Sequence, residues 1–267
     1  MALASRPATR RERPARAARA EVHDAPQGTM RPAFYALGRG RVRDLLTLLH
    51  PPYTAWHLSY FALGAAVAPH LYVDRLLWGL AAFGLAVGVA AHALDELHDR
   101  PLQTGLSERT LIALAAASLL GALAIGVAGV VIVSVWLAPL VLAGALFLPA
   151  YNLELAGGRF HSDLWFAIGW GAFPAFTGYV ADAGKVAVPG LLMACGCLML
   201  SVAQRRLSAP ARELRRRTRA IRGVRISSEG RAEELSLAGL LAPLDGALAA
   251  MSVAVVLTAC ALVASRL

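Results

Sequence analysis

Thr110–Leu153 reads TLIALAAASLLGALAIGVAGVVIVSVWLAPLVLAGALFLPAYNL and holds no charged side chain. A bilayer core takes about 20 apolar residues per helix, so this run is long enough for two crossings. The glycines at Gly126–Gly129 suggest the break between them. Working outward, Leu45–Val73 is also free of Asp, Glu, Lys and Arg, with Pro51-Pro52 near its front. It predicts a first helix over about 52–70, since proline suits a helix start. The same reading predicts helices over about 76–97, 163–181, 186–204 and 237–265. The chain is 57% hydrophobic and 16% charged over 267 residues, against about 25% charged in soluble domains. The fold class expected is all-α: a polytopic membrane bundle of about seven helices.

Charge sets the expected orientation. The net charge is +9, and Lys185 is the single lysine. The arginines gather at the ends of apolar runs, which is a topology pattern and argues against a nucleic-acid partner. Anionic membrane lipid is the expected partner for them. With the N-terminus in the cytoplasm, the inside receives the N-terminal arm and the loops 98–109, 152–162 and 205–235. The outside receives Arg75, Lys185 and Arg266. This predicts N-in, C-out, multi-pass, in the inner (cytoplasmic) membrane. Residues 1–44 read as a disordered Arg-rich tail, and Met30 offers an alternative start. Ser208 and Pro210 read as a helix-start signal, so 205–222 is expected to be a basic amphipathic interfacial helix. Cys195, Cys197 and Cys260 sit in apolar runs and read as packing residues.

The string Ala91-His92-Ala-Leu-Asp95-Glu96-Leu-His98-Asp99 carries the chemistry. Asp95 and Asp99 are four apart, hence one turn apart on one helix face, with His92 on the same side. Paired carboxylates repel unless a cation sits between them. Mg²⁺ takes one or two carboxylates together with substrate phosphates. The bland alternative is a polar helix end meeting water, with Arg100 and Arg109 as ion-pair partners. Elsewhere, Asp163 reads as a helix cap, and Asp245 as an acid able to meet an arginine of the 205–231 loop.

With Arg100-Pro101-Leu-Gln-Thr104-Gly-Leu-Ser107-Glu-Arg109, then Pro149-Ala-Tyr151-Asn152, then the Gly/Pro-containing run from Phe166 to Tyr179, the chain resembles the UbiA superfamily of intramembrane prenyltransferases over about residues 47–204. The resemblance implies a Mg²⁺-dependent transfer of a prenyl group from a prenyl diphosphate to an acceptor that the sequence does not identify. Asp95 and Asp99 stand at the matching metal-ligand and catalytic positions. His92, Arg100, Arg109, Tyr151, Asn152, Arg205 and Arg206 are weaker candidates for the diphosphate. Two departures stand out. Ala91 occupies the place of the family's leading Asn. The second Asp-rich motif is missing, with Gln204 and Ser208 near where its carboxylates belong. Arg205, Arg206 and Arg212 clamping the diphosphate in place of a metal, a non-catalytic lipid-binding or scaffold role, and a terpene cyclase using the same cavity are the competing readings. A CDP-alcohol transferase lacks its run of motif residues here, a di-iron oxygenase lacks histidines, and a transporter lacks an inverted repeat.

Overall fold

The computed structural model describes Tyr35, Leu37 and residues 40–267. The alternative start at Met30 and most of the Arg-rich arm lie outside these residues. In chain order the elements are α1 (Arg41–Leu48), α2 (Pro51–Ala66), α3 (Val73–Asp99), α4 (Glu108–Ile132), α5 (Ala138–Asn152, entered through a 3₁₀ turn at Val135–Leu137), α6 (163–183), α7 (Val188–Arg216), the hairpin β1 (Val224–Ile226) and β2 (Ala232–Glu234), and α8 (Leu237–Ala264). The first of these, α1, begins inside the stretch expected to be tail.

Five of the helices are long and apolar enough to cross a membrane: Val73–Asp99, Glu108–Ile132, Val135–Asn152, Val188–Arg216 and Leu237–Ala264. Their outward surfaces are apolar as well. Val131 and Ile132 are 81% and 80% exposed, and Leu120, Leu146 and Leu192 are also exposed. Only a lipid surround removes such side chains from water. A helix also satisfies its own backbone polar groups, as hydrocarbon demands. The starts follow local chemistry. The hydroxyls of Ser107, Ser134, Ser162 and Ser236 accept from the backbone N–H of Thr110, Trp136, Trp165 and Gly239, and proline occupies the first turn of α2, α5 and α7.

Two boundaries differ from expectation. The α4/α5 break falls at Val133–Ser134 and not at Gly126–Gly129. A Cβ on Gly126 would lie 2.8 Å from Val141, and one on Gly129 would lie 3.2 Å from Leu137. Those glycines let α5 pack closely, while Ser134 makes the turn by capping Trp136 and donating to the Gly184 carbonyl at 2.8 Å. Nor does a new helix start at Ser208. Helix α7 runs unbroken through Pro210 to Arg216. Pro210 and Arg206 are both exposed, so water can serve the carbonyl that the proline leaves without its donor. The rest of the 205–235 segment is extended chain and an exposed antiparallel hairpin, Val224 opposite Glu234.

The core is built around α2. Trp56, Tyr60, Phe61, Leu63 and Ala65 are buried along it, against the second half of α6 and against α8. A helix buried on most sides is apolar all round rather than striped, and α2 fits that description. Within α3 and α6, Gly84–Ala91 and Ala167–Ala172 are wound as π-helix. Such turns are uncommon and concentrate at functional sites. Both pack against α2.

Candidate functional site

The polar residues converge at one end of the bundle. The last two turns of α3 carry His92 and Asp95, the end of α5 carries Tyr151, and the start of α6 carries Asp163 and Phe166. Helix α7 carries Arg205, Arg212 and Arg216. At about 100° per residue, these three arginines lie within about 40° of one another around α7, while Arg206 and Arg215 fall on its flanks. Arg205 donates to the Asp163 carboxylate from Nε at 2.6 Å and Nη2 at 2.5 Å. Its guanidinium also lies 5.1 Å from the centre of the Phe166 ring.

Asp95 is half-buried. The charges of His161, Arg216 and Arg212 act on it, yet it closes no ion pair with any of them among the described residues. Arg205, Arg216, Tyr151 and Tyr53 surround Arg212 electrostatically. Arg212 and Arg216 thus lie near enough to Asp95 to act on its charge without closing an ion pair.

Histidines and tyrosines form the adjoining wall. The His50 and His92 rings are 4.0 Å apart, and Tyr35 stands 5.3 Å from His50. His50 adopts a left-handed backbone, φ 45°, a conformation that costs about 1–3 kcal/mol and clusters at functional sites. Burial, then the neighbouring His92, holds His50 well below the usual histidine range. His92 Nδ1 donates to the Gly88 carbonyl at 3.1 Å and His57 Nδ1 to the Trp170 carbonyl at 2.9 Å. Each acceptor belongs to one of the two π-helical turns. A carbonyl can only accept, so both rings carry their proton on Nδ1.

Behind the polar end runs an apolar cleft of about 670 Å³ between α3, α4, α5 and α6, lined by Trp78, Ala86, Leu123, Val141, Phe147 and Trp170 among others. It reaches Asp74 and Arg75 at the opposite end of α3. Ligand cavities commonly measure about 300–1,000 Å³. An aromatic partition joins cleft and polar site: Phe166 stacks on Trp170 at 5.6 Å and 3°, and Tyr151 lies 4.4 Å from Trp170.

Of the residues singled out from sequence, His92, Asp95, Tyr151 and Arg205 come together here. Asp99 is exposed at the helix end and makes no hydrogen bond or ion pair among the described residues. Arg100, in a left-handed conformation, donates to the Leu106 carbonyl at 2.7 Å and so shapes its own loop. Arg109 and Arg206 are exposed. Asn152 is buried and turned back on its own helix, donating to Leu148 at 2.8 Å. Asp163 is Arg205's partner, and the capping oxygen of α6 comes from Ser162. Arg216 and His50 escaped the sequence reading, although the 205/212/216 spacing already placed three arginines on one face.

Glu96 also escaped it. Fully buried, it accepts from Leu102 N–H at 3.0 Å, Thr104 N–H at 2.8 Å and Thr104 Oγ1 at 2.8 Å. It folds the loop after α3 and leaves Asp95 to face the site.

Whether this donor set suits Mg²⁺ follows from its chemistry. Asp95 and Asp99, one turn apart, suffice for one ion that keeps water or phosphate oxygens. A second ion finds no carboxylate on the buried strip of α7, whose one acid, Glu213, is exposed. The buried strip there is Ser201, Gln204 and Ser208, and Gln204 Oε1 is buried with no partner among the described residues. No cluster of three His, Cys, Asp or Glu side chains able to hold a metal occurs among the described residues.

Comparisons with known proteins found no matching family model, no similar curated protein and no similar solved structure.

Arg215 turns away from the site and pairs with Asp245 of α8, their side chains 9% and 25% exposed. Removing one partner of a buried pair strands the other charge. Asp245→Ala is expected to lower stability by about 3 kcal/mol, read as an earlier thermal transition in detergent. The exposed Glu233→Ala, which breaks the Arg225 pair of the hairpin, should change it by less than about 1 kcal/mol. Equal shifts for the two would refute the assignment.

Proposed function

We propose that this chain is an intramembrane prenyltransferase of the UbiA type, moving a prenyl group from a prenyl diphosphate to an acceptor. The observation that supports the reading is an apolar cleft whose wall residue Trp170 packs on Phe166 and Tyr151, beside the arginine-bearing end of α7, where Arg205 lies over Phe166. That shape suits an amphiphile with an anionic head and a long branched tail. In this reading all seven long helical segments cross the inner (cytoplasmic) membrane, N-in and C-out, with the arginine-bearing end of α7 in the cytoplasm. The resemblance of the Asp95–Arg109 stretch to the family supports the same conclusion.

The chain's own groups have separable tasks. Arg212 and Arg216 draw the head to the mouth of the site, and Asp163 keeps Arg205 stretched across Phe166. Tyr151 and Trp170 direct the first isoprene units into the cleft and exclude water from the allylic carbon. The allylic C–O bond breaks with its electron pair leaving on the diphosphate. The acceptor nucleophile bonds to that carbon and releases its proton. Mg²⁺ on Asp95 and Asp99 would supply Lewis-acid neutralisation of the departing diphosphate.

The test is filling the cleft. Ala122 lines it well away from the charged end. Ala122→Trp is expected to weaken geranylgeranyl diphosphate binding about tenfold or more and to leave inorganic pyrophosphate binding unchanged. Equal affinity of wild type and variant for the prenyl ligand would remove the cleft from the reading. Tight binding without pyrophosphate release or prenylated product, across chain lengths and acceptors, would favour the non-catalytic lipid-binding role. A hydrocarbon or terpene alcohol product would instead mark a cyclase.

A further inference from the structure

We infer that Arg212 and Arg216, backed by Arg205, form a guanidinium clamp that holds the diphosphate head directly, in the place where a second carboxylate-bound ion would otherwise stand. The inference rests on the prenyl diphosphate reading and deepens it by naming how the head is recognised.

Four observations support the clamp. The three arginines share one face of α7 over its last three turns, so a single rigid helix presents them together. Their like charges act on one another, a repulsive arrangement that a bound polyanion relieves. Arg212 and Arg216 form no ion pair among the described residues, whereas Arg205 and Arg215 are each neutralised by an aspartate. Lastly, the α7 wall offers Gln204 and Ser208 as its neutral polar groups, with Gln204 Oε1 left unpartnered. A neutral amide cannot hold a dication, but guanidinium groups match phosphate oxygens in pairs.

Asp95 then takes a second role. It is a carboxylate whose charge acts with those of Arg212 and Arg216. Entry of the diphosphate places a polyanion beside it. Asp95 therefore opposes head-group binding through its charge, and its value lies in the transfer step. This separates the clamp from a site in which carboxylate-held metal is what binds the head.

The experiment measures binding to the full chain in detergent with two probes, geranylgeranyl diphosphate and inorganic pyrophosphate, in Mg²⁺ and in excess EDTA. The clamp predicts that both probes bind in EDTA within a few fold of their affinity in Mg²⁺. Arg212→Gln and Arg216→Gln should each weaken both probes by about tenfold or more. Arg206→Gln, on the flank of α7 about 100° from Arg205, should leave them unchanged, and Asp95→Asn should bind as well as or better than wild type. Thermal transitions of the variants, with Arg212→Lys as a charge-preserving control, report folding separately.

Loss of binding in EDTA, or loss with Asp95→Asn in a folded protein, overturns the clamp and leaves the prenyl diphosphate reading standing. Pyrophosphate binding in EDTA without prenyl diphosphate binding keeps the clamp and removes the prenyl substrate. Binding of neither probe removes both. Micelles doped with phosphatidylglycerol should not displace pyrophosphate, and displacement as strong as that by pyrophosphate itself would reassign the arginines to lipid headgroups and overturn the clamp.

Discussion

Gly178→Ala is expected to destabilise the bundle by about 3 kcal/mol, near the upper end for overpacking a filled core. A Cβ at Gly178 would lie 2.1 Å from the Phe61 carbonyl oxygen, and one at Gly64 would lie 1.8 Å from the Ala175 carbonyl oxygen. The two glycines face each other's helices at the crossing of α2 and α6. The obstructing atoms are backbone, so no rotamer change relieves the clash, and one helix must move away. That movement pulls Trp56, Tyr60 and Phe61 out of register with α6. It also lengthens the His57–Trp170 hydrogen bond, which spans the same two helices. Thermal unfolding followed by size-exclusion in detergent checks this, with Gly196→Ala as the control. Nothing lies within 4 Å of a Cβ at Gly196, so alanine there should be neutral or slightly stabilising. Matching behaviour of the two variants would refute the close crossing.

Glu96→Ala is expected to cost about 3 kcal/mol as well, by a different route. Its carboxylate accepts three hydrogen bonds from Leu102 and Thr104, and Glu96 is completely buried. Removing it leaves those donors without their partner in a closed space. Glu96→Gln keeps a single amide oxygen as acceptor, so its loss should be smaller. Asp99→Ala, exposed and unpartnered, should leave stability unchanged. Limited proteolysis supplies the local readout, since the 100–107 loop should become cleavable in Glu96→Ala before the bundle unfolds. If Glu96→Ala melts like wild type, the carboxylate is not what holds the loop.

Glu96 also marks where the reading of residues in sequence reached its limit. Asp95, Glu96 and Asp99 are three acids within five positions, and spacing groups Asp95 with Asp99. Spacing cannot show that the chain turns back at Arg100 and brings two backbone N–H groups onto Glu96. The arginines of α7 behave similarly. Arg205 and Arg206 are adjacent, and the helix sends the first to Asp163 and Phe166 and the second outward. Pro210 suggested a new helix because proline disfavours helix interiors. The continuous helix places it at an exposed position, where its missing N–H matters least, and that continuity sets Arg212 and Arg216 above Arg205. The π-helical turns left no signature, because Gly84–Ala91 is as apolar and small as an ordinary membrane helix.

That this chain lies in a membrane as helices, and roughly where each begins, is legible in its local residue pattern. Hydrocarbon leaves no alternative for long charge-free runs, whose backbone must bond within itself. Serine and proline caps act on their own neighbours, so they too are legible locally. Which charges meet is a matter of helix packing. Asp95 lies near Arg212 and Arg216, Glu96 is spent on its loop, and Asp99 is exposed at the helix end one turn from Asp95. Those outcomes depend on the rotation and closeness of helices far apart in the chain, set by the Gly64–Gly178 crossing and by the two π-helical turns, and no local pattern of residue types specifies them.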